Sequence, residues 1–404
     1  MRRLVVLCGV QFIDVLGVTS AITAIPPTLR DLHAPQSDAA LLATAYAMCF
    51  GGLLVLGARL GDRYGHRRIL LIGTLSFAAV GLIGASAQGI AQVIVARGLQ
   101  GAAAAVSVPS ALRLLLELPD RQKALAAWSA TGAAAGATGL LVGGALTALL
   151  GWRAVFWINL PVGLALAAAI RAAVPTTTPQ RTPLDLANAA LLTTAVMAVI
   201  VGAALGQPLA ALAGALLGAV YLRRNRLTGN LRTGTAISFV NTATTSSAGV
   251  LATLELQQRL HASSFEAGLA LLPFSLAVIA GSALSGKANA AAGLAAIAAG
   301  NLTLALTGSH VAGILLGVAI AGTGLGIASV HATAIGTDTP DEGLAAGILN
   351  TGAQVGTALG VAALVLVADH TTPAAAWATA AAIAALSALR ATASARPRAR
   401  FARR

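Results

Sequence analysis

The chain has 404 residues, of which 57% are hydrophobic and only 10% charged, and its mean hydropathy is +0.82. A water-soluble protein of this length has more polar surface to cover than so few charges supply, so lipid is the expected solvent for most of the chain. A formal charge of +13 would suit a nucleic-acid partner, but the arginines are placed for another purpose, set out below, and no nucleic-acid partner is expected. Where no water can satisfy backbone groups, a chain crosses a bilayer as helices or as a closed barrel. Continuous apolar runs, in place of short alternating segments, select helices.

The first apolar run, 4–29, follows Met1-Arg2-Arg3, but Asp14 interrupts it and no small-residue cleavage site follows. It reads as a membrane helix, not as a secretory signal. The bulky Leu7 before Cys8 argues against lipidation. Further runs long enough to cross about 30 Å of hydrocarbon lie at 39–58, 69–88, 91–112, 124–149, 154–174, 185–206, 234–256, 267–286, 311–333, 343–367 and 372–390. Two weaker runs, 208–222 and 290–307, bring the expected total to fourteen. Both cysteines, Cys8 and Cys49, fall inside apolar runs, so neither a disulfide framework nor a metal site is expected. No nucleophile, metal cluster or nucleotide loop is visible, and the chain is expected to be neither an enzyme nor a cofactor protein.

The basic residues test the span count, because Lys and Arg concentrate in cytoplasmic segments. With the N-terminus inside, 21 of the 26 fall in inner segments and only Arg30, Arg153 and Arg259 in outer ones. Arg97 and Arg113 fall within the fourth span or at its inner end. This places both termini in the cytoplasm and accounts for the net charge. The Pro- and Thr-rich stretch 174–184 and the stretch 223–233 divide the chain. The expected units are residues 1–174, an inserted helix pair at 175–232, residues 233–391 and a basic tail at 392–404.

The inner loop after span two reads Gly57-Ala58-Arg59-Leu60-Gly61-Asp62-Arg63-Tyr64-Gly65-His66-Arg67-Arg68. Gly65 permits a tight turn, Asp62 can pair with arginines or a helix N-terminus, and the arginines face the anionic leaflet. Alone, the arginines could be simple topology anchors. The ordered string resembles the signature loop between spans two and three of major facilitator transporters, and fourteen spans resemble their drug:proton antiporter branch. That resemblance covers essentially the whole chain. It implies a conformational charge relay at Asp62, Arg63 and Arg67 about the Gly65 turn. Ala58 stands where the family pattern has its first Gly.

Span four contains Arg97-Gly98-Leu99-Gln100-Gly101, similar to the family's R-x-x-x-G element, whose Arg handles protons. Its insertion into lipid costs about 2.5–3.5 kcal/mol, so it should face a cavity or a partner. A purely structural hydrogen-bond hub is the other reading. Asp14 is the one carboxyl deep in the membrane, with Gln11 one turn away on the same face. Hydrocarbon favours its neutral form, which suits reversible proton binding, though a permanently protonated or Arg-paired structural Asp remains the alternative. Similar transporters carry an acid in span one beside the Arg of span four, which implies an Asp14–Arg97 pair.

In span five, Gly132, Gly136, Gly139, Gly143 and Gly144 keep one face small. With Gly151-Trp152-Arg153 and the stretch Phe156 to Gly163 after them, they resemble the family's antiporter signature, with Leu140 in place of its proline. Asn241 with Thr245, and Asn350 with Gln354, each share a helix face. They could line a substrate cavity with Gln11, or glue helices together.

The expected protein is thus an all-α polytopic membrane protein with a major-facilitator-like fold, two six-helix bundles and two extra helices. It is expected to act as a monomer in the plasma membrane. Its expected task is proton-coupled export of small hydrophobic, neutral or cationic molecules such as drugs, antibiotics or secondary metabolites, with the proton gradient as the driving force and no metal or cofactor. An uptake symporter for a metabolite, or a non-transporting sensor of the same fold, are the rivals.

Overall fold

The computed structural model describes residues 1–35, 38–177, 179, 185–204, 206–225, 227–262, 264–339 and 342–395. Arg181, Arg226 and the basic residues of 396–404 lie outside the described residues. The chain forms α1 (Arg2–Asp31), α2 (Asp38–Tyr64), α3 (His66–Ala85), α4 (Ile90–Leu116), α5 (Arg121–Leu150), α6 (Ala154–Trp157), α7 (Asn159–Ala173), α8 (Leu186–Ala204) and α9 (Pro208–Arg224). Then follow α10 (Gly229–Leu254), α11 (Ser264–Ala270), α12 (Leu272–Leu284), α13 (Ala290–Thr307), α14 (Val311–Gly336), α15 (Glu342–His370) and α16 (Pro373–Ala395).

These helices are the fourteen expected spans, with two of them divided. Span six breaks into α6 and α7 just before Pro161, and span ten into α11 and α12 just before Pro273. Proline lacks the N–H that would continue the preceding turn, so each helix starts afresh. Among the described residues, 11 helices are long and apolar enough to cross a membrane. α10 falls short of that apolarity because of its run from Asn241 to Ser247. Its hydroxyls bond back into the helix, Thr245 to the Asn241 carbonyl at 2.7 Å and Ser247 to that of Ala243 at 2.6 Å. α10 packs against α14, α15 and α16, so it does not need an apolar surface all round.

The same four pairings recur in each half. In the first bundle α1 packs on α5, α2 on α4, α3 on α4 and α3 on α7. In the second α10 packs on α15, α12 on α14, α13 on α14 and α13 on α16. The bundles meet along two seams, α2 with α15 and α5 with α12. Of the inserted pair, α9 packs on α8 and presents Leu209, Leu212 and Leu216 outward. α8 instead lies over the α2–α15 seam, where Thr193 donates to the Gly52 carbonyl at 2.6 Å and Leu192, Val196 and Ile200 join Val55, Ile348 and Leu349 in one buried cluster. An amphiphilic hydroxyl and a branched apolar face let this helix bridge both bundles.

At the opposite end of the first bundle, Asp31 accepts from the Trp152 indole at 3.0 Å and from Arg153 at 2.6 Å, and Arg153 also donates to the Ala87 carbonyl at 2.9 Å. The indole N–H and then the guanidinium hold the Asp31 carboxyl below the usual carboxylate range. The clamp ties α1, the turn before α4 and the start of α6 into one body.

Glycine sets how closely the helices approach. A β-carbon on Gly57 would run into the backbone carbonyl of Ala105, so α2 and α4 touch there main chain to main chain. Gly57→Val should therefore destabilise the protein by about 1–3 kcal/mol through overpacking. Gly218→Val, on a glycine with nothing within 4 Å, should be silent. Thermal inactivation of the purified protein in detergent compares the two.

Candidate functional site

Asp14 lies midway along α1 and is 8% exposed; Arg97 of α4 is 3% exposed. The structure does not join them as a direct ion pair. Tyr46 of α2, 2% exposed, stands between them and donates its hydroxyl to Asp14 Oδ1. The Arg97 guanidinium lies over the Tyr46 ring, 4.9 Å from its centroid. Its Nη1 donates to the Gly17 carbonyl of α1 at 3.2 Å and to Gln100 Oε1 at 3.4 Å. The guanidinium is thus satisfied by a carbonyl, an amide and an aromatic face, which leaves the carboxylate to the phenol.

The R-x-x-x-G spacing explains how this forms. A β-carbon on Gly101 would clash with the Tyr46 carbonyl and come within 3.1 Å of the Phe50 nitrogen. The missing side chain lets α2 press against α4 one turn from Arg97, which brings the Tyr46 ring under the guanidinium. On the other side of Asp14 is a cavity of about 20 Å³ lined by Thr74, Phe77, Ser107 and Gly163 among others, room for a single water. The Thr74 hydroxyl is buried there without a partner in the structure.

The α5 glycines hold this site against α1. Gly132 faces Gln11, whose Nε2 would lie 3.1 Å from an added β-carbon. Gly136 faces Val15, and Gly139 faces Thr19 and the Leu16 carbonyl. The two helices run parallel, with steps of four or three residues on each. Gly143 is buried and Gly144 has open space around it. α5 continues unbroken past position 140.

The signature loop differs from the expected relay. Asp62 pairs with His66 Nε2 at 3.2 Å and Arg59 at 3.9 Å, not with Arg63 or Arg67. Arg63 lies over the neighbouring Tyr64 ring. Arg67 donates to the Arg171 carbonyl at 2.8 Å, and its backbone N–H donates to Thr177 Oγ1 at 3.2 Å. Gly65 has φ +89°, and an added β-carbon would lie 2.9 Å from the Thr177 carbonyl oxygen. Asp62 lies in the last turn of α2 and His66 opens α3, so the Gly65 turn between them folds the imidazole back onto the carboxylate. The Arg67 side chain thus reaches the last turn of α7, and its backbone N–H the chain after it.

The neutral polar residues also part company. Asn241 donates to Ser329 Oγ of α14 at 2.9 Å, and Thr245 bonds its own helix, so both sit in a packed helix seam and not on an open cavity. Asn350 bonds the Ala346 carbonyl of its own helix at 3.0 Å. Gln354 lies at the α2–α15 seam against Gly51. Its neighbour Thr351 donates to the Gly51 carbonyl at 3.2 Å.

A second charged constellation joins the bundles at the arginine-rich face. Glu342, at the start of α15, pairs with Arg113 of α4 at 2.9 Å and Arg121 of α5 at 3.1 Å. Arg121 also donates to Thr337 Oγ1 at 2.7 Å, and Arg3 pairs with Glu117 at 3.0 Å. Nearby, Ser282 of α12 donates to Ser129 of α5 at 3.0 Å. Sequence reasoning missed this latch and Tyr46. The available signals were an isolated tyrosine inside span two, whose buried hydroxyl needs a partner, and an inner segment with Asp338, Asp341 and Glu342 but no Lys or Arg to balance them.

Comparison with known proteins agrees with this architecture. The chain is 31% identical over 408 residues to a cephamycin export protein of Amycolatopsis lactamdurans, covering 90% of this chain and 84% of that one. It is 31% identical over 303 residues to a lincomycin resistance protein of Streptomyces lincolnensis, covering 68% and 62%. The fold matches the crystal structure of a human organic anion transporter with TM-score 0.76 at 16% identity, over 96% of this chain and 98% of that one. The family model described as Major Facilitator Superfamily matches residues 7–342, and this multi-pass membrane protein belongs to that superfamily.

Proposed function

We propose that the protein is a proton-coupled antiporter that exports small hydrophobic, neutral or cationic molecules of the drug, antibiotic or secondary-metabolite type by alternating access. The observation that carries this reading is the buried Asp14–Tyr46–Arg97 arrangement, an ionisable carboxyl held in the membrane beside a fixed cation. Such a group binds and releases a proton according to which side has access to it. The relatives named for cephamycin export and lincomycin resistance support export as the direction and antibiotics as the cargo class.

In this reading the arginine-rich face is cytoplasmic, by the positive-inside rule, and both termini lie there. The bundles, residues 1–174 and 233–391, rock as units about the α2–α15 and α5–α12 seams, with α8 holding the first seam. The Glu342 latch closes the cytoplasmic side; proton release from Asp14 inward and its breaking belong to the opposite state. The gradient supplies the drive, no metal or cofactor takes part, and one chain suffices.

Asp14→Asn should abolish drug uptake driven by a pH gradient into everted vesicles while leaving expression intact. Normal gradient-driven uptake of every transported compound in a panel of dyes and antibiotics, lincomycin included, would refute the coupling role. Glu342→Gln removes the charge that two guanidiniums share and should loosen the closed side. A thiol at Ser282→Cys, a buried position, should then react with a water-soluble maleimide about tenfold faster, a shift of that size being a modest change in the open fraction. Equal labelling rates would contradict the latch.

A further inference from the structure

We propose that Tyr46 is the positioning residue that converts the protonation state of Asp14 into movement of α2 against α15. The inference rests on the proton-carrier reading of Asp14 and adds the path by which that proton is felt at the seam between bundles.

Among the described residues, Tyr46 is the one side chain that touches both charged partners, the carboxyl through its hydroxyl and the guanidinium through its ring. The titratable or charged groups facing Asp14 are Tyr46 from α2 and Arg97 from α4. α3, α4 and α7 present Thr74, Phe77, Ala104, Ser107, Gly163 and Leu166 to it, and the α5 glycines pack on the neighbouring α1 residues Gln11, Val15 and Leu16. With Asp14 ionised, its charge and that of Arg97 balance across the phenol ring. Once Asp14 takes a proton, the guanidinium is uncompensated in a medium of low dielectric, and the phenol no longer has an anion to donate to. Both changes act on Tyr46.

Tyr46 sits five residues before Gly51, about 7.5 Å along the helix at 1.5 Å per residue. The Gly51 carbonyl accepts the Thr351 hydroxyl of α15, and Gln354 packs on the same spot, with a β-carbon on Gly51 brought within 3.0 Å of it. α2 is pressed against α4 at Gly101 and Gly57, so a displacement at Tyr46 travels along a braced rod to the seam. A rod with glycine contacts at both ends slides or tilts as a unit, because close-packed contacts are bistable and not continuously deformable.

The test needs no cargo. Spin labels at Lys123→Cys and Lys287→Cys, in a background carrying Cys8→Ala and Cys49→Ala, report the opening of the arginine-rich face by electron–electron distance measurement in reconstituted bilayers. The ratio of closed to open distances should swing about tenfold between about pH 5 and pH 9, and Tyr46→Phe should flatten the swing to within about twofold. A packing defect alone would shift the ratio equally at every pH and leave the swing intact. Thr351→Val cuts the far end of the same path and should flatten the swing as well, so it carries the test should Tyr46→Phe fold poorly. A full swing in either variant, with the swing lost in Asp14→Asn, overturns the role of Tyr46 alone. A full swing in Asp14→Asn overturns the carrier reading beneath it.

Discussion

Three groups that hydrocarbon disfavours, a carboxyl, a phenol and a guanidinium, meet at one point inside the first bundle, and the surrounding structure exists to satisfy them. Burying an arginine at membrane depth costs about 2.5–3.5 kcal/mol on insertion scales, so each of its donors must find an acceptor. Arg97 finds the Gly17 carbonyl, the Gln100 amide and the face of Tyr46. Tyr46 in turn serves Asp14. Remove any one and another is stranded in a medium that offers no water to replace it.

That constraint explains the glycines. Gly101 lets α2 touch α4 where Tyr46 must lie, and Gly132, Gly136 and Gly139 let α5 lie along the α1 face that carries Gln11, Val15 and Thr19. Lipid gives no hydrophobic drive for helices to associate, so close main-chain contact does that work. The polar site is held by packing, and the packing converges on two seams between bundles. At one face Glu342 and its two arginines bridge those bundles, a contact whose partners come from different bundles and so respond to their separation.

Much of this was legible in the sequence, for identifiable reasons. The spans were readable because a bilayer demands long apolar runs, and their number because the arginines gather in alternate connections. Asp14 and Arg97 stood out as charges where charge is costly. What a one-dimensional reading lacks is lateral placement. Nothing in the run 185–206 says that α8 lies over the α2–α15 seam and not beyond it. The pairing of Asp62 with His66 in place of Arg63 or Arg67 depends on how the Gly65 turn sets the start of α3 against the end of α2. Asn241 and Thr245 were ambiguous because the same residues line cavities and join helices; only the position of Ser329 on α14 decides. Tyr46 escaped notice because an aromatic residue in an apolar run has a ready apolar explanation, and its hydroxyl matters only once Asp14 is beside it.

The central claim is that Asp14 carries the proton that is given up when cargo binds. Its most direct test is to add compounds to weakly buffered, detergent-solubilised protein and record the pH with an indicator dye while binding is followed separately. A compound that binds should drive protons off the wild-type protein and none off Asp14→Asn. Proton release of equal size from both proteins would contradict the account.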